Sequence, residues 1–79
     1  MTLRQQRFGE RIREARQAAN LTQDAVARAL KVKQPTVSSW EIGETYPTPG
    51  NLLRFCELTN VDVVPLLERM VEEAEAIPA

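Results

Sequence analysis

Four residues close together could do hydrogen-bonding chemistry on a macromolecular surface: Gln34, Thr36, Ser38 and Ser39. All are short or medium polar side chains, with no carboxylate among them. A glutamine amide can pair bidentately with an adenine edge, and hydroxyls can donate to or accept from any base. Polarity alone equally suits an ordinary solvated helix face, and the residue types do not separate the two readings. Catalysis is a poorer fit. The chain has no histidine and one cysteine, Cys56, and it carries neither a Gly-rich phosphate loop nor metal-ligand spacing. Carboxylate neighbours such as Glu72 and Glu73 fall on a solvated helix. No enzyme, cofactor or metal site is expected.

These residues are positioned by a run of short helices. Phe8, Ile12, Ala15 and Ala19 recur at helical spacing and predict a first helix from Leu3 to Ala19, stopped by Asn20. Thr22 is placed to cap a second helix, Gln23 to Leu30, which buries Val26, Ala27 and Leu30. Lys31-Val32-Lys33 leaves room only for a tight turn with Val32 inward. A third helix starts near Gln34 with Pro35 in its first turn, buries Val37 and Trp40, and stops at Gly43. Thr48 and Pro49 open a fourth helix that buries Leu52, Phe55 and Cys56 and ends at Asn60. Asp62 caps a fifth, with Pro65 in its first turn. No segment reads as a strand, so the fold class is all-α, one small domain of 79 residues.

The unit from Thr22 to Gly43 is two helices joined by a three-residue turn. So short a connection holds them at a steep angle, and the second projects from the surface. A projecting helix can enter a major groove about 12 Å wide. The net charge of −1 opposes binding to a polyanion, but its distribution favours it. Residues 1–43 carry eight Lys/Arg against four acids, a net of +4, whereas residues 44–79 are acidic at −5. The lone cysteine, the absence of an apolar span of membrane length and the lack of a signal-peptide pattern lead to an expectation of a cytoplasmic protein without membrane contact.

Leu21-Thr22-Gln23, Val26-Ala27, Leu30, Val32, Val37-Ser38, Trp40-Glu41 and Gly43, followed by Pro47, Val61-Asp62 and Leu66-Leu67, resemble the phage Cro/C1-repressor (XRE) helix-turn-helix family over residues 8–67. The resemblance implies a five-helix, lambda-repressor-like DNA-binding domain with the helix-turn-helix at helices 2 and 3. It implies a sequence-specific transcriptional regulator, with repression the expected sense, bound as a homodimer to a dyad-symmetric site on double-stranded DNA. The recognition helix would span about 34–41. Base contacts would come from Lys33, Gln34, Pro35, Thr36, Ser38 and Ser39, and phosphate contacts from Thr22, Gln23, Lys31 and Tyr46. A helix N-terminus is itself an anion site, which suits Gln23. Arg16 and Glu41 match a family pair that forms a structural salt bridge, and Trp40 reads as core. The chain departs from the family at Lys31, where Gly is frequent, and at Lys33, where Ser or Thr often caps. It departs again at Glu44, where a base is frequent, and at Thr59, where Leu is usual.

The DNA-binding domain is drawn at residues 1–67, with 68–79 continuing helix 5 into an acidic tail. Leu66, Leu67, Met70, Val71, Ala74 and Ile77 form an apolar stripe there. It packs on its own domain or forms a dimer seam through Met70, Val71, Ala74 and Ile77, and the size of the stripe favours dimerisation. The alternative function is an antitoxin or adaptor that keeps the fold, binds a partner protein through that stripe and uses DNA secondarily.

Overall fold

The computed structural model describes residues 3–75, with side chains described over 7–72. Five helices follow one another and no strand occurs among the described residues: α1 (Leu3–Ala18), α2 (Gln23–Leu30), α3 (Gln34–Glu41), α4 (Pro49–Thr59) and α5 (Val63–Glu75). The starts of α2, α4 and α5 are set by local caps. Thr22 Oγ1 accepts from the Ala25 amide at 3.0 Å, Thr48 Oγ1 from that of Asn51 at 3.2 Å, and Asp62 Oδ1 from that of Val64 at 3.0 Å. Lys33, at the start of α3, makes no side-chain cap. Pro35 removes one amide from that first turn and so lowers the demand for a cap.

The ends of α1 to α4 share one geometry. A residue with positive φ follows each helix, namely Asn20, Lys31 and Asn60 at 58° and Gly43 at 82°. The next amide then reaches back five residues: Leu21 to Arg16, Val32 to Ala27, Glu44 to Ser39, and Val61 to Cys56, at 2.9–3.1 Å. This Schellman arrangement satisfies carbonyls the helix leaves unpaired. Glycine adopts it freely and asparagine tolerates it, but Lys31 has a Cβ and no compensating short polar group. The turn between α2 and α3 therefore holds one strained residue.

Phe8, Ile12, Val26, Leu30, Val37, Trp40, Leu52, Phe55, Cys56 and Leu66 form the buried core, so every helix contributes to it. α3 packs on both α2 and α1. Its approach to α1 is unusually close at Gly9, where an added Cβ would overlap the Glu41 carbonyl oxygen and lie 2.7 Å from that of Trp40. The ring of Tyr46 stands edge-on to Phe8, centroids 5.0 Å apart at 71°, and holds the loop after α3 against α1. Thr59, where the family usually has Leu, is buried, and its hydroxyl donates to the Phe55 carbonyl at 2.8 Å. Burial and the negative charge of Asp62 push the Cys56 thiol pKa up, so it stays protonated and serves packing.

α5 divides its apolar side chains between two faces. Leu66 is buried and Val63 and Met70 pack against the core, whereas Val64, Leu67 and Val71 are exposed on the outer side. Met70, expected in a dimer seam, is half-buried and packs part of its surface against the core. Ala74 lies on α5 with its side chain outside the described residues, and Ile77 lies beyond them. No helix among the described residues is long and apolar enough to cross a membrane.

Two substitutions probe the α1–α3 contact and the turn in opposite directions. Gly9→Ala should lower stability by about 1–3 kcal/mol, because backbone rather than a flexible side chain must yield. Lys31→Gly should raise it by about 1 kcal/mol by relieving the left-handed strain. Urea unfolding of both variants against the parent chain checks the pair.

Candidate nucleic-acid interface

α3 buries Val37, Trp40 and Glu41, which at 100° per residue define one face. The opposite face carries Pro35, Ser39 and Ile42, flanked by Gln34 and Ser38 on one side and Thr36 on the other. Lys33, Gln34 and Pro35 are exposed, and Thr36, Ser38 and Ser39 are half-buried. The six residues expected to meet bases therefore lie together at the tip and outer side of one helix. Eight residues make it about 12 Å long, a fit to the width of a major groove.

Ser39 differs from the others in its chemistry. Its Oγ donates to the Pro35 carbonyl at 3.0 Å, so its proton is committed to the helix and only its lone pairs face outward. Ile42 is an outward residue that sequence reasoning missed. It is 48% exposed, seven positions after Pro35 and four after Ser38. The signal lay in the buried triplet 37, 40 and 41, whose spacing turns position 42 away from the core.

Around the tip, Thr22 and Lys31 are exposed and Gln23 and Tyr46 half-buried. Lys31 and Lys33 flank Val32 in the turn and have no carboxylate within ion-pair distance among the described residues. Arg28 pairs with Asp24 at 3.0 Å, but both are exposed and the pair contributes little. Thr22 takes the Ala25 amide, leaving the first amides of α2 directed outward beside Gln23, an arrangement that attracts anions. Tyr46 is engaged with Phe8 at the far end of α3.

Behind this surface lies a chain of polar contacts. Arg16 Nε donates to Glu41 Oε2 at 2.6 Å and Nη2 to Oε1 at 3.1 Å, while Nη1 donates to the Leu21 carbonyl at 2.8 Å. The Glu41 side chain is buried and that of Arg16 largely so. The hydrogen bond to Glu41, reinforced by its charge and opposed by burial, raises the Arg16 pKa, so the guanidinium is permanently charged. Gln23 Nε2 also donates to Glu41 Oε1 at 3.0 Å, and Gln34 Nε2 donates to Gln23 Oε1 at 2.6 Å. The side chains of α1, α2 and α3 are thereby joined from the core to the exposed tip. The ties of Gln23 to Glu41 and Gln34 come in addition to its expected place beside a phosphate, and they depend on tertiary placement that no local pattern encodes.

This arrangement of a capped helix, a tight turn and a projecting polar helix anchored from behind defines a helix-turn-helix module. The chain matches the family described as "Helix-turn-helix domain" over residues 7–70, and it belongs to that family. The Cro/C1-repressor (XRE) resemblance of its motif agrees. It is 47% identical over 45 residues to the HTH-type transcriptional regulator DicA of Escherichia coli K12, covering 57% of this chain and 33% of DicA. It is 33% identical over 70 residues to the HTH-type transcriptional activator BcrR of Enterococcus faecalis, covering 86% of this chain and 34% of BcrR. The chain thus spans about a third of the length of these relatives. Among solved structures it resembles the restriction-modification controller protein C.AhdI from Aeromonas hydrophila, with a TM-score of 0.71 and 26% identity over 78% of this chain and 94% of that one. The clp gene regulator ClgR from C. glutamicum shares the fold, with a TM-score of 0.71 and 20% identity over 92% of this chain and 95% of that one.

The buried pair invites a stability test. Arg16→Ala leaves the Glu41 carboxylate buried and unneutralised and should cost about 3–5 kcal/mol. Replacing both partners, Arg16→Met with Glu41→Leu, should restore stability to within about 1 kcal/mol of the parent. Thermal and urea unfolding of the single and double variants measures the difference.

Proposed function

We propose that this chain is the DNA-binding domain of a transcriptional regulator, a binding module rather than an enzyme, acting on double-stranded DNA in the cytoplasm. The observation that supports this best is the outer face of α3, where Gln34 is exposed yet held by Gln23 against a buried ion pair. A solvated helix face has no use for such support; a side chain that must meet a base edge in one orientation does. Lys33, Gln34, Pro35, Thr36, Ser38 and Ser39 supply the base-facing surface. Thr22, Gln23, Lys31 and Tyr46 supply the phosphate-facing flank. Occupying DNA excludes other proteins from it, so repression is the regulatory sense proposed.

The domain binds a two-fold symmetric site as a homodimer. The exposed stripe Val64, Leu67 and Val71 on α5 supports this, because a contiguous apolar face on so small a domain favours a partner. Val71 belongs to the seam expected from the sequence, and Ala74 and Ile77 would extend it toward the C-terminus. An antitoxin or adaptor role would use the same stripe for a different protein, with no demand on the tip of α3.

Selection from a random DNA pool at fixed salt should return a dyad-symmetric site; no enriched sequence would favour the adaptor reading. Gln34→Ala should cost about 1–3 kcal/mol on that site and relax preference at one base position per half-site. Lys33→Ala should relax preference at one base position per half-site, and a uniform loss over all sequences would instead move Lys33 to the phosphate flank. For the dimer, Leu67→Glu should give a monomer by sedimentation at micromolar concentration and lose the two-fold site. A parent chain that is monomeric both free and on DNA would overturn the seam.

A further inference from the structure

The contacts running from the core to the tip of α3 all point the same way. Glu41 is 5% exposed, and as an ion-paired carboxylate it has no proton to give. It already accepts two hydrogen bonds from Arg16. Gln23 can therefore meet it only through its NH2 group, as observed at 3.0 Å. That choice turns the Gln23 carbonyl oxygen outward, and an amide oxygen only accepts. Gln34 must in turn direct its own NH2 inward, as observed at 2.6 Å. The sense of each amide is thus dictated by the buried charge rather than chosen locally.

The consequence falls on what Gln34 has left. Of its two N–H donors one is spent on Gln23, so the groove is offered one donor beside one acceptor. Adenine presents the matching pair, the N7 acceptor and the N6 donor. Guanine presents two acceptors, N7 and O6, and would require two donors. We propose that Glu41 is a positioning residue for DNA specificity: acting through Gln23, its buried carboxylate fixes the donor–acceptor order of Gln34 and so selects adenine against guanine. This rests on Gln34 facing a base. It assigns Glu41 a role distinct from holding helices together.

The experiment is DNA selection, followed by measured affinities for sites differing only as adenine or guanine at the position that Gln34→Ala relaxes. The parent chain should prefer adenine there by about tenfold or more, the worth of one good bidentate pair. Glu41→Gln keeps the side-chain size and lets position 41 donate. The chain can then reverse, leaving both N–H groups of Gln34 free, and the adenine-to-guanine ratio should fall about tenfold. Gln23→Met removes the link but retains the Arg16–Glu41 pair, so it stays folded even if Glu41→Gln does not. It should lower affinity for every sequence and abolish the same ratio.

A purely structural role for Glu41 would weaken all sites in proportion and leave the ratio intact. An unchanged ratio in folded Gln23→Met, or a parent preference for guanine at that position, overturns the inference while leaving the DNA-binding reading in place. Failure of the parent chain to select any sequence overturns both.

Discussion

A carboxylate in a protein interior must be neutralised, and in this chain the neutralising group comes from another helix. Arg16 sits near the end of α1 and Glu41 closes α3, twenty-five positions later. Their pairing brings the first helix against the back of the projecting one, and the third nitrogen of Arg16 holds the Leu21 carbonyl at the entry to α2. One guanidinium therefore references both helices of the motif to the body of the domain. Gly9 makes this approach sterically possible, since a side chain there would collide with the backbone of α3. Phe8 and Tyr46 close the same interface at the loop beyond. The angle at which α3 leaves the surface follows from these contacts more than from the turn that precedes it.

The helix ends supply a second, local layer of definition. Four consecutive helices stop by the same left-handed residue and backward amide contact, so the chain changes direction without exposing unpaired carbonyls. Three of those positions hold Asn or Gly, which tolerate the conformation. The fourth, Lys31, lies in the turn beside the polar face. There the strained residue also places a positive charge at the edge of the proposed interface.

Much of this architecture could be read from the sequence because its determinants are local. Thr22, Thr48 and Asp62 announce helix starts within three residues of themselves, and Asn20, Gly43 and Asn60 announce ends. The core positions of α1, α2 and α4 followed from helical spacing. What could not be read depends on contacts between distant segments. The helical stripe of α5 ran together Met70, which faces the core, and Leu67 and Val71, which do not, because the stripe is wider than the surface the body offers it. Ile42 escaped notice because it follows the helix and resembles a core residue by type. The link from Glu41 through Gln23 to Gln34 joins three helices, and only the folded arrangement puts those atoms within reach of one another.

Trp40, the only tryptophan in the chain, is 3% exposed and stands directly before Glu41 on the inner side of α3. The domain thereby contains its own optical probe, an indole at the seat of the projecting helix and shielded from solvent on its far side. Its emission reports the seating of α3 on the body separately from events at the outer face, so motion of that helix and occupation of its surface are distinguishable in the unlabelled protein.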